Sequence, residues 1–155
     1  MALYPDDSLD HKPQEKCMNV VAFNGSSRKG GNTSQMIAEV FKPLIAHGHT
    51  TELVELSGKK LSGCIACYKC FDRKDKHCAV TNDPLNEYID LMVDADAIIL
   101  GSPTYFADVS AVMKALIERA GMVARANDDL FKRKLGAGVV AVRRCGAYHV
   151  FSSLN

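Results

Sequence analysis

Val20, Val21, Ala22 and Phe23 form an unbroken apolar run that stops at Gly25. So short a run without alternation predicts a strand buried on both faces, as in a parallel sheet covered by helices. Past a polar loop, Met36, Ile37, Val40, Phe41, Leu44 and Ile45 recur at helical spacing. Asn32 is placed to cap that helix, Gly48 to end it and Pro43 to kink or shorten it. The stretch TTELVEL, residues 50–56, mixes Leu53, Val54 and Leu56 with polar residues, as an edge strand does. Asp83 and Pro84 then supply an acidic cap and a proline at the first helical position, ahead of an apolar face of Leu85, Ile89, Met92 and Val93. AIILGS, from Ala97, is the next buried strand. A helix from about Ser110 to Ala120 turns Val112, Met113, Leu116 and Ile117 inward, and GAGVVAV, residues 136–142, is a fourth strand.

Strands alternating with helices predict a doubly wound α/β domain, because each right-handed crossover lays its helix on one face of a parallel sheet. Residues 1–17 are polar, carry Pro5 and Pro13 and show no period, so they are expected to be a flexible arm. Residues 18–155 then make one domain, with a cysteine-rich insert at 63–78. A chain of 155 residues can bury a core without disulfide or metal support.

Charge narrows the partners. Nineteen basic and 18 acidic residues leave a net charge of +1, too little for a field that gathers nucleic acid or a membrane surface. A small partner is expected rather than a polyanion. The N-terminus lacks the apolar core of a signal peptide and no run is long enough to span a bilayer, so a cytoplasmic location is expected. In that reducing compartment six cysteines point to metal or redox chemistry rather than to a disulfide framework.

Two loops carry candidate chemistry. FNGSSRKGGNTSQ joins the first strand to the first helix, where glycines let the backbone bend, the helix start offers free N–H groups, and Ser26, Ser27, Asn32, Thr33 and Ser34 add neutral donors. That environment suits a phosphate, although an ordinary polar turn with a good cap reads similarly. A Walker loop would need Lys where Gly31 stands, and the dinucleotide fingerprint would need Gly where Ser27 stands, so both are excluded. GSPTYFADVS follows the third strand and reaches the same sheet edge. Pro103 stiffens it, and Tyr105 and Phe106 offer a wall for a flat ring.

GSSRKGGNTSQMI and ADAIILGSPTYFADVSAVMKALIERAG, at this spacing, resemble the flavodoxin-like family of NAD(P)H-dependent FMN reductases. The cysteine segment resembles the iron-sulfur flavoprotein branch of that family. The resemblance implies an FMN phosphate held by Ser26, Arg28, Asn32 and Thr33, and an isoalloxazine ring along Pro103, Thr104, Tyr105 and Phe106. It also implies that the loop from Arg143 to Gly146 approaches the ring from the other side, with Arg143 and Arg144 available to a pyridine nucleotide or simply solvated. The implied strand order is 2-1-3-4(-5). The chain stops at HVFSSLN, where a fifth strand and last helix are expected, so the fifth strand is expected to be missing from it.

GCIACYKCFDRKDKHC places Cys64, Cys67, Cys70 and Cys78 in the pattern C-x2-C-x2-C-x7-C. Closely spaced thiolates suit a single 4Fe–4S cluster. Tetrahedral zinc is the rival metal, although its structural sites usually pair two C-x2-C knuckles. A third reading puts Cys64, Cys67 and Cys70 on one helix face as buried thiols, against which the charged residues from Lys69 to Lys76 weigh. Cys17 and Cys145 stand apart, and His47, His49, His77 and His149 make no ligand set.

The leading expectation is a flavoprotein oxidoreductase in which FMN takes a hydride from NAD(P)H and passes electrons on, singly where a cluster is present. No side chain need act as nucleophile or general base. The alternatives are an FMN or quinone reductase without a cluster and a zinc-stabilised binding module. By resemblance the chain is expected to form a homo-oligomer, a dimer or tetramer, with the cysteines near the subunit contact.

Overall fold

The computed structural model describes residues 16–155. Residues 1–15 of the expected arm lie outside the described residues; Lys16 is exposed and reaches Asp96 at 3.4 Å. The elements run β1 (Asn19–Asn24), α1 (Asn32–Ala46), β2 (Thr50–Glu55), α2 (Lys69–Arg73), α3 (Leu85–Asp94), β3 (Ala97–Pro103), α4 (Ala111–Ala126), β4 (Leu135–Ala141) and α5 (Ala147–Leu154). All strand pairs are parallel, in the order β2-β1-β3-β4. This is the flavodoxin-like arrangement expected, with β2 at one edge and no fifth strand among the described residues.

Each strand feeds two cores, as an apolar run in a parallel sheet must. Val20 and Ala22 of β1 pack with Ile37 and Phe41 of α1 on one face. Val21 and Phe23 point to the other face, among Leu85, Ile89, Met92, Met113, Leu116 and Val123 of α3 and α4. There Phe23 meets Tyr88 edge-on, with ring centroids 5.7 Å apart.

Packing overrides several local expectations. Asn32 is the first residue of α1 rather than its cap; Gly31 holds the cap position and makes no side-chain bond. Pro43 neither ends the helix nor shortens it, since α1 runs on to Ala46. A proline in a helix interior costs about 3 kcal/mol. Here the carbonyl that loses its donor belongs to Glu39, which is exposed and wet. Burying Ile37 and Phe41 contributes about 1.5–3 kcal/mol each and outweighs the loss.

At α3 the helix opens one residue later than expected: Pro84 is the cap, and Asp83 stands before it. One Asp83 oxygen accepts from the Leu85 amide at 3.3 Å, and the other turns to Arg119. Ser110 caps α4, its hydroxyl accepting from the Met113 amide at 3.3 Å. α4 nevertheless continues past Gly121 to Ala126, because Val123, Ala124 and Ala126 beyond the glycine are buried. The final stretch folds as α5, whose Leu154 packs against Gly138 of β4.

Candidate functional site

Three loops meet at the carboxyl ends of β1, β3 and β4. The first is set by Asn24, a fully buried side chain that bridges two elements. Its oxygen accepts from the Ser26 amide at 3.0 Å, turning the chain, while its nitrogen donates to Glu55 at 2.8 Å. The Gly25 amide donates to the Gly101 carbonyl at 2.7 Å, fastening the loop to the end of β3. A Cβ on Gly25 would lie 2.8 Å from Met113, so only glycine lets the loop lie on the start of α4. The first turn of α1 carries no acidic residue, leaving its free N–H groups unopposed toward an anion.

The second loop leaves β3 at Pro103. Tyr105 and Asp108 exchange both backbone hydrogen bonds, at 2.9 and 3.2 Å, around a tight turn. Phe106 and Ala107 sit in the left-handed region at φ 48° and 68°, a conformation that costs non-glycine residues energy and recurs at functional sites. The turn leaves the Phe106 side chain fully exposed. The Tyr105 hydroxyl lies 2.9 Å from that of Ser27, which locks the first loop to the second. That hydrogen bond holds the Tyr105 phenol below its ordinary pKa. Between the loops the Thr104 hydroxyl is buried and has no partner among the described residues.

The third loop, Arg143 to Gly146, is seated by a close approach. Gly146 lies at φ 89° and opens α5; a Cβ there would come within 2.7 Å of the Ala107 backbone and 2.9 Å of Thr104. Ser153 of α5 donates to Asp108 at 2.9 Å and holds the same junction from the far side.

The cysteine segment lies against the middle of α4. Cys64, Cys67, Cys70 and Cys78 line one cavity together with Arg119. Only Cys70 falls in a helix, the short α2, so the expectation of three cysteines on one helix face is not met. Ala66 and Tyr68 take positive φ, and the chain wraps around the cavity instead. The Cys64 amide donates to Glu118 at 3.3 Å, the Cys78 amide donates to Asn86 at 2.8 Å, and Cys70 faces the Met122 carbonyl. Burial pushes the Cys70 thiol above its ordinary pKa. Among the described residues, no three His, Cys, Asp or Glu side chains gather closely enough to hold a single metal ion.

A family model described as NADPH-dependent FMN reductase matches residues 18–154. The chain belongs to this family. It is 36% identical over 129 residues to an iron-sulfur flavoprotein of Methanocaldococcus jannaschii, covering 83% of this chain and 65% of that protein. An iron-sulfur flavoprotein of Archaeoglobus fulgidus is 34% identical over 83% of this chain and 56% of its own. A third, from Methanosarcina thermophila, is 32% identical over 79% of this chain and 62% of its own. The chain thus spans about three fifths of the length of these relatives. Two solved structures share the fold. RosB with a bound intermediate superposes with a TM-score of 0.61 at 14% identity, over 88% of this chain and 57% of that one. The NAD(P)H:quinone oxidoreductase from Methanothermobacter marburgensis gives 0.58 at 13% identity, over 82% of this chain and 84% of that one.

Within this FMN reductase-family fold the expected site residues have different surroundings. Ser27, Arg28 and Asn32 are exposed around the first loop, whereas Thr33 is buried with its methyl toward Gly101. Ser34 donates to Glu55 at 3.1 Å and braces the loop from below. Arg143 and Arg144 are exposed, as are Cys17 and Cys145. Sequence reasoning missed Asn24, Glu55, Asn86 and Arg119. Arg119 left a signal: it falls on the inward stripe of Leu116, Ala120 and Val123, where helical spacing calls for an apolar residue.

Tyr105→Phe keeps the ring and removes the bond to Ser27. With about 1 kcal/mol for an exposed neutral hydrogen bond, FMN is expected to bind roughly fivefold more weakly. Fluorescence titration of the apoprotein with FMN checks this, and an unchanged affinity would show that the two loops are held together by other means.

Proposed function

We propose that the protein is an FMN-dependent oxidoreductase that takes electrons from NAD(P)H and passes them to a small-molecule or protein acceptor through a 4Fe–4S cluster on Cys64, Cys67, Cys70 and Cys78. The placement of α4 carries this reading. Its start, at Ser110, closes the flavin loops, and Arg119 in its middle lines the cysteine cavity, so one rigid helix joins the two candidate centres. Nine residues at 1.5 Å rise span about 14 Å.

The residues present fit both groups. The N-terminus of α1, with Ser26, Ser27, Arg28, Asn32, Thr33 and Ser34 around it, offers donors for the FMN phosphate. Pro103, Thr104, Tyr105 and Phe106 supply the wall for the ring, and the unpartnered Thr104 hydroxyl has hydrogen-bonding capacity for a polar atom of that ring. Arg143 and Gly146 bound the opposite side, with Arg143 and Arg144 free to meet a pyridine nucleotide. When bound, FMN supplies hydride acceptance and one-electron release, and a cluster supplies a one-electron path. No side chain is assigned a nucleophilic or acid–base role; the chain's work is to bind, orient and insulate. The C-x2-C-x2-C-x7-C spacing, without the paired C-x2-C knuckles usual in structural zinc sites, favours a polynuclear centre over zinc.

We also assign a homo-oligomer, a dimer or tetramer, working in the cytoplasm where thiols stay reduced. Exposed Ile65, Tyr68 and Phe71 beside the cysteines provide apolar surface for the subunit contact. The described residues contain no helix long and apolar enough to cross a membrane.

The test is anaerobic purification, a visible spectrum before and after NAD(P)H, and iron and zinc analysis of the same sample. Flavin bands over a broad brown shoulder that bleach with NAD(P)H are expected, whereas flavin bands alone point to a cluster-free reductase and a colourless zinc protein to a binding module. Cys64→Ser is expected to retain FMN and lose the broad absorbance; an unchanged spectrum would remove Cys64 from the ligand set.

A further inference from the structure

Arg119 is the largest fully buried side chain among the described residues, with 1% of its surface exposed. A buried cation needs several partners, and this one uses both arms of its fork. One terminal nitrogen pairs with Asp83 and lies 3.4 Å from the Ser62 carbonyl. The other donates to the Val80 carbonyl at 2.9 Å and to the Cys78 sulfur at 3.4 Å. Ser62 precedes the first of the four cysteines and Val80 follows the last, so one guanidinium ties both ends of the segment to α4.

An ion pair with Asp83 accounts for one arm only. The other reaches a sulfur, and the remaining Nε–H is buried without an acceptor among the described residues. Leaving such a donor unmet costs about 1–3 kcal/mol. Arg119 also lines the cavity that the four cysteines share.

We infer that Arg119 is a positioning residue that orients Cys78 and, by donating N–H to its sulfur, raises the reduction potential of the centre the cysteines hold. The inference rests on the iron-sulfur reading above. Reduction adds one electron and concentrates negative charge on the ligand sulfurs, and a charge-assisted donor stabilises that state more than the oxidised one. Asp83 neutralises the guanidinium from the far side, so the effect is local to Cys78.

The experiment compares the full chain and Arg119→Lys, both reconstituted anaerobically with iron and sulfide and titrated against redox mediators, with iron content measured on each. Lysine keeps the pair with Asp83 but cannot span Asp83, Val80 and Cys78 at once. The variant is expected to bind the same iron and to shift its one-electron equilibrium tenfold toward the oxidised form, about 59 mV lower in potential. Equal potentials at equal iron would overturn the inference while leaving the cluster in place. A folded variant that takes up no iron would also overturn it, reducing Arg119 to a residue that shapes the site. An unaltered chain that takes up no iron would bring down the iron-sulfur reading and this inference together. If Arg119→Lys does not fold, Asp83→Asn/Arg119→Gln keeps a neutral pair of similar shape: the same fall in potential supports the role, and an unchanged potential overturns it.

Discussion

Asp83→Ala is expected to remove about 3–5 kcal/mol from the stability of the fold, because it leaves the Arg119 charge buried and unpaired. The two side chains are 3% and 1% exposed, so water cannot take the lost partner's place. Asp83 also accepts from the amides of Leu85 and Ser62, at 3.3 and 3.5 Å, and its loss loosens the start of α3 and the lead into the cysteine segment together. Removing the exposed Lys42–Glu39 pair, by contrast, should cost well under 1 kcal/mol. Urea denaturation at neutral pH checks both; with a slope near 2 kcal/mol/M the Asp83→Ala midpoint should fall by roughly 2 M. A loss below about 1 kcal/mol would mean that the pair is not desolvated as its burial implies.

The same group sets an acid limb. Burial alone would push the Asp83 carboxyl up, but the Arg119 guanidinium and the Leu85 amide outweigh it and hold the carboxyl below its ordinary value. Its contribution is therefore complete above the unfolded pKa of about 3.9 and lost as pH falls through the lower folded value. Asp83→Asn should flatten that limb, and a parent-like acid profile in the variant would assign the limb to other carboxylates.

Gly146→Ala is expected to weaken FMN binding roughly hundredfold, about 2.8 kcal/mol, while far-ultraviolet circular dichroism stays near the parent's. At φ 89° an alanine carries backbone strain of order 1–3 kcal/mol. Its Cβ would also meet the Ala107 backbone at 2.7 Å, an atom that cannot rotate away as a side chain could. The third loop must then lift from the second, and both Thr104 and the strained turn at Phe106 and Ala107 lose their support. The four strands do not depend on that contact, so the sheet should persist. Apoprotein titration with FMN decides it: parent-like affinity would show that the third loop takes no part in holding the ring.

Strand and helix identity was legible because both periods are enforced by burial. The apolar run from Val20 to Phe23 meets a core on each face, and the stripe from Met113 through Leu116 and Ala120 meets one. Boundaries were less legible. Asn32 and Asp83 both read as caps by type, yet neither is at the cap position, and Pro43, read as kinking or shortening α1, is tolerated in an exposed last turn. Two loops of the candidate site were visible through the hydroxyl-rich stretch between β1 and α1 and through Pro103, Tyr105 and Phe106 after β3, whereas the third was placed by family resemblance. The residues that pin them, Asn24 and Glu55, lie 31 positions apart and share no local pattern.

By itself the sequence determined the alternation of strands and helices, the chemistry of the first two loops and the spacing of the four cysteines. Each is written in neighbouring residues, where periodicity and turn chemistry act over a few positions. The tertiary structure alone decided that Ser27 meets Tyr105, that Gly146 must pass the Ala107 backbone, and that Arg119 faces both Asp83 and Cys78. Those pairings join residues 36 to 78 positions apart. They follow from the parallel sheet bringing strand ends to one edge and from a buried charge seeking partners, neither of which acts along the chain.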